Sequence, residues 1–102
     1  MTNEQFLIEV ERAYVRSHIL LVKKGKEYTS AGDRLDQFHR AAAAQRILST
    51  EALIGMATKH FTSIADMSKD PGNFTTKQWH DKLDDLRNYT FLLDALVTDV
   101  RE

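Results

Sequence analysis

Apolar positions recur at helical spacing along nearly the whole chain, in four segments. Near the N-terminus Phe6, Val10, Tyr14 and Leu21 share one helix face, and Ile8, Val15, Ile19 and Val22 share a second, nearly opposite one. Glycine and proline divide the rest: the glycines are Gly25, Gly32, Gly55 and Gly72, and the only proline is Pro71. The first helix is expected from Asn3 to Lys24, with Gly25 as its stop and Lys23 and Lys24 complementing its negative end. The second is expected from Asp33 to Leu48, with Asp33 as its cap. The third starts at Ser49 or Thr50 and ends before Asp70-Pro71-Gly72. The fourth starts at Thr75, where Thr75 and Gln78 match a capping box, and reaches about Val100. Alternating strand-like patterns are almost missing. The pattern predicts an all-α chain, an antiparallel four-helix bundle forming one domain over residues 1–102.

Some polar residues fall where this pattern calls for apolar ones. On the third helix His60 lies among Leu53, Met56, Ile64 and Met67, flanked by Lys59, Ser63 and Asp66. On the fourth, Asp85 lies inside the arc of Trp79, Leu83, Leu86, Leu93, Leu96, Val97 and Val100, with Asp81 and Asn88 at its edge. A charge among core positions is costly unless it is paired. Two readings follow. His60 and Asp85 form one architectural polar contact, or Lys59, His60, Asp81, Asp85 and Asn88 line a pocket between helices three and four. Asp81 and Asp85, one helical turn apart, put two carboxylates on one side of a helix, a spacing that suits Mg²⁺ held by few carboxylates, waters and substrate phosphates.

Composition narrows the classes. The chain is 42% hydrophobic and 28% charged, ordinary for a globular domain. A net charge of -1 argues against a dedicated nucleic-acid or membrane-surface binder. Cysteine is missing, which excludes disulfides and thiolate metal sites and fits a reducing cytoplasm. The longest apolar run, Ile19 to Val22, is far too short for a membrane span, and "MTNEQF" lacks the basic flank and apolar stretch of a signal peptide. No histidine pair has zinc-ligand spacing, and no phosphate-binding glycine loop or nucleophile elbow is present.

The stretches "KGKEYTSAGDRLDQFHRAA", "ALIGMATKHFTSIADM" and "WHDKLDDLRNYTFLLDAL" resemble a set of small phage and prophage proteins. Those in turn look like divergent relatives of the all-α, MazG-like nucleoside triphosphate pyrophosphatases. The similarity covers about residues 20–97 and rests on Lys26, Glu27, Tyr28, Asp33, Arg34, Leu35 and Phe38, then Lys59 and His60, then Asp85, Asn88 and Tyr89. It implies a bacterial-host cytoplasmic protein, usually oligomeric, that binds nucleotides with Mg²⁺ and cleaves between the α and β phosphates. Asp85 and Asp81 would then be catalytic and, with Asp33, hold the metal. Lys26, Arg34, Lys59, His60 and Asn88 would contact substrate, and Tyr28 would cover a base. The chain departs from the hydrolase pattern, which carries two acidic pairs on adjacent helices: Lys59 and His60 stand where carboxylates would be wanted, and helix two offers only Asp33 and Asp36.

Two functions remain open from sequence: a nucleotide-binding or nucleotide-cleaving accessory enzyme, and a non-catalytic helical interaction protein that keeps the fold without the chemistry. In either case the two opposed apolar faces of the first helix point to a homodimer, because a surface helix of a monomeric bundle needs only one buried stripe.

Overall fold

A computed structural model describes residues 1–28 and 32–101, apart from the side chains of Tyr28, Val100 and Arg101. Among the described residues the chain is helical throughout: α1 spans Asn3–Tyr28, α2 Asp36–Gln45, α3 Ser49–Met67 and α4 Thr76–Arg101, with a short 3₁₀ turn at Pro71–Asn73. The all-α bundle expected from the apolar pattern is what forms.

Local chemistry sets the helix ends. The Gln78 backbone N–H donates to Thr75 Oγ1 at 3.1 Å while the Thr75 N–H donates to Gln78 Oε1 at 2.8 Å, the reciprocal capping box read from sequence. The same device opens α1, between Thr2 and Gln5. At α3 the Glu51 carboxylate accepts the Leu48 N–H at 3.0 Å. Beyond α2, Arg46 adopts a left-handed conformation (φ 55°), and the Ile47 N–H returns to the Ala42 carbonyl at 3.0 Å.

Two expected boundaries are corrected. Gly25 does not stop the first helix, which runs on to Tyr28. A β-carbon there would sit 3.4 Å from Arg34 Nε, an ordinary van der Waals contact, so the Arg34 side chain lies against this turn of α1. The second helix is shorter than Asp33–Leu48. Asp33 does not cap it; its Oδ1 accepts the Leu35 N–H at 2.9 Å in a turn that precedes α2.

The helices pack in the order α1, α4, α3, α2, so that α1 has α4 as its main neighbour. Tyr14 meets Phe91, Ser17 meets Arg87 and Lys24 meets Asp85, which makes α1 and α4 antiparallel. The apolar core is Leu35, Phe38, Leu53 and Leu96, with Met56, Tyr89, Leu92 and Leu93 packed against it. Ala42 and Ala52 are buried where α2 lies on α3, the close approach that the alanine run permits. No described residue of α1 belongs to that core cluster. Among the described residues, no helix is long and apolar enough to cross a membrane.

Phe38 is fully buried at the centre of the core, so Phe38→Ala should lower unfolding free energy by about 3–5 kcal/mol in urea denaturation. Phe61→Ala, at a side chain 62% exposed, should change it by less than about 1 kcal/mol.

Candidate functional site

The polar groups gather on the seam between α1 and α4, not between α3 and α4. Asp84 is buried, and its two oxygens take different partners. Oδ2 accepts from Arg16 Nε of α1 at 3.1 Å, and Oδ1 accepts from Arg87 Nη1 at 2.7 Å. Arg87 Nη1 also donates to Ser17 Oγ at 2.9 Å, and Ser17 is fully buried. Asp84 thereby meets the requirement that a buried carboxylate be both paired and hydrogen-bonded.

About two turns further along α1, Lys24 Nζ donates to Asp85 Oδ1 at 3.3 Å, and His60 Nδ1 of α3 lies 3.8 Å from Asp85 Oδ2. The His60 ring packs on Tyr89 with centroids 5.1 Å apart. His60 and Asp85 are therefore within reach of each other, as their positions on the helix wheel imply, and both are half-buried. Beside them lies a cavity of about 110 Å³ whose polar lining is Lys24, Arg34, Gln37, Asp85 and Asn88, with Leu21, Tyr89 and Leu92 as its apolar walls. Asn88 is 5% exposed, and both of its side-chain polar atoms are buried with no hydrogen-bond partner among the described residues. The same holds for Arg34 Nη1.

Of the residues expected at a site, Arg34, Asp85 and Asn88 line this one cavity, and His60 stands behind Asp85. Lys59 and Lys26 are exposed and do not line it. The pocket expected between helices three and four, with Lys59 and Asp81 in its wall, is corrected accordingly: the cavity opens between α1, α4 and the turn into α2. The Tyr28 side chain lies outside the described residues. Asp81 is exposed at the rim of the groove between α1 and α4, and it accepts from Lys77 Nζ at 2.8 Å; that hydrogen bond holds the lysine ammonium above its ordinary pKa.

The Mg²⁺ set of Asp85, Asp81 and Asp33 is not brought together. Asp33 serves the turn before α2, Asp81 is held by Lys77 and Asp85 by Lys24. Among the described residues no three histidine, aspartate or glutamate side chains lie close enough to share a metal ion.

Lys24, Gln37 and the Asp84–Arg16–Arg87–Ser17 cluster were missed from sequence. In the sequence Lys24 precedes a glycine that matches a helix stop, which gives it the look of a helix-end complement. The cluster did leave a trace: Ser17 interrupts the Phe6–Leu21 face of α1, and Arg87 follows Asp84 at one-turn spacing. Comparison of the chain with protein-family models, with characterised proteins and with solved structures returned no match.

Asp84→Ala should cost about 3 kcal/mol in chemical denaturation, because it leaves two arginine heads facing each other in a partly buried seam. Asp81→Ala, removing an exposed pair, should leave the denaturation midpoint nearly unchanged.

Proposed function

We propose that this chain is a non-catalytic helical interaction protein that works as a homodimer, with α1 as its contact helix. Its kinship, on this reading, is with the small phage and prophage proteins that keep a MazG-like bundle without the hydrolase chemistry. The pattern over residues 20–97 supports that kinship, and the missing acidic pairs support the loss of chemistry.

The observation that carries the reading is the surface of α1. Its Ser17 and Leu21 side turns toward α4, while Ile8, Val15, Ile19 and Val22 on the opposite face are each about half exposed or more, as are Phe6, Val10 and Tyr14 toward its N-terminal end. Isolated apolar residues are ordinary on a surface, whereas a stripe along a whole helix marks a contact. The area agrees. A single chain exposes 7388 Å², where a monomer of 11.7 kDa is expected to expose about 5,900 Å². The surplus of roughly 1,500 Å² per chain is the scale of an obligate two-chain interface. The radius of gyration of 15.5 Å likewise exceeds the roughly 13 Å of a compact chain of this length. An antiparallel crossing centred on Val15 sets Ile8 opposite Val22 of the second copy. It also sets the acidic Glu9 near the basic Lys23, so the surface is self-complementary.

Light scattering at micromolar concentration should give about twice the 11.7 kDa chain mass, and Ile8→Asp with Ile19→Asp should halve it or unfold the chain. A monomeric mass for the unmutated protein would sink the reading. Incubation with nucleoside triphosphates and Mg²⁺ should release no pyrophosphate; release that is lost in Asp85→Ala would restore the pyrophosphatase reading in its place.

A further inference from the structure

The cavity between α1, α4 and the turn into α2 has buried polar atoms in its walls that no described residue satisfies. Three of them are without a partner among the described residues: Arg34 Nη1, Asn88 Nδ2 and Asn88 Oδ1. Buried polar groups are ordinarily satisfied, and an unpaired one is among the costlier features of a folded chain. An apolar residue of similar size at position 88 would pack against Leu21 and Leu92 at no such cost. The asparagine stands there in a chain whose apolar core is already small.

We propose that this cavity binds a small carboxylic acid carrying a hydroxyl or amine next to its carboxylate. The charge balance selects the anion. Asp85 is matched by Lys24 at 3.3 Å, with His60 at 3.8 Å behind it. No carboxylate is paired with the Arg34 guanidinium among the described residues, so the lining carries one unmatched positive charge, which suits a monoanion better than a dianion. Arg34 Nη1 and Asn88 Nδ2 offer N–H donors to the carboxylate oxygens, a charge-assisted arrangement. Asn88 Oδ1 is an acceptor with no donor among the described residues, and it calls for a donor on the same ligand. That requirement selects a 2-hydroxy or 2-amino acid over a simple carboxylate. The volume sets the size: about 110 Å³ takes several waters' worth of ligand but is well below the few hundred Å³ of a pocket that encloses a nucleotide-sized molecule. Leu21, Tyr89 and Leu92 supply walls for the carbon atoms.

The test is a titration of the ¹⁵N-labelled full chain with sodium glycolate, glycine, sodium acetate and inorganic phosphate, read on the side-chain amide signals of Asn88 and the guanidinium signals of Arg34. Glycolate or glycine should shift both sets saturably. Acetate, which lacks the second donor, should bind at least about tenfold more weakly. Arg34→Gln should weaken glycolate at least about tenfold as well. Asn88→Leu should abolish the response and raise the thermal midpoint. That pairing separates a binding residue from a structural one, whose loss lowers the midpoint. The proposal is overturned if neither glycolate nor glycine moves the Asn88 amide at millimolar concentration, which would leave the cavity to ordered water. It is overturned too if phosphate or acetate binds as tightly as glycolate, or if Asn88→Leu destabilises the fold.

Discussion

The buried carboxylate of Asp84 decides how α1 sits. Alone, α1 is ambiguous, because it carries apolar stripes on two nearly opposite faces and either can lie against a neighbour. Asp84 on α4 accepts from Arg16 on α1 and from Arg87, and Arg87 in turn donates to the fully buried Ser17. Only the face that holds Ser17 can be turned inward while these groups stay satisfied. With the Ile8–Val22 face inward, Asp84 would keep Arg87 but lose Arg16, and Arg87 would lose Ser17, leaving the buried cluster partly unsatisfied at a cost. The polar seam thus supplies the specificity that the apolar pattern lacks. It also fixes the register that sets Lys24 beside Asp85 and Gly25 beneath Arg34.

A seam of this kind specifies more than it stabilises. The apolar core is built from α2, α3, α4 and the turn before α2, and α1 is fastened to it by arginine–aspartate contacts that are about a third exposed on the arginine side. Such pairs contribute little net free energy compared with apolar burial. The single chain therefore has a core of few fully buried large side chains and one long helix with most of its apolar area still in water. For a chain of this length that is a marginal balance, and further burial along α1 is the largest gain available to it.

How much of this was legible follows from the kind of signal each part leaves. Helices whose faces repeat every turn and whose ends carry side-chain caps were readable: Thr75 and Gln78 mark the start of α4, and Leu53, Met56, Ile64 and Met67 mark the inner face of α3. The two faces of α1 were readable as a pattern, but not which one turns inward, because that rests on a partner more than sixty residues away. A glycine after two lysines matches a helix stop, yet α1 continues through Gly25 to Tyr28, and the Arg34 side chain lies against Gly25 in a tertiary contact that leaves no local trace. Asp85, Asn88 and His60 drew notice as polar residues on apolar arcs, and Asp85 and Asn88 do line the cavity, with His60 behind them. Asp84 escaped because it lies on the side of α4 that looks solvent-facing until α1 is placed over it. Lys24, on the far helix, could be assigned only once the pairing of α1 with α4 was known.

The same turns of α1 serve both of its sides. Leu21 and Lys24 wall the cavity, while Ile19 and Val22, their neighbours in sequence, point outward. Because α4 is the main support of α1, the helix is a single layer between the cavity and the exterior, with no second shell of packing behind it. A wall of one helix is free to shift by the slack in its side-chain contacts, and here those contacts are long polar side chains. Burying the outer face would remove that slack at the point where Lys24 meets Asp85. The precision of the cavity thus depends on what lies against Ile19 and Val22 as much as on the residues that line it.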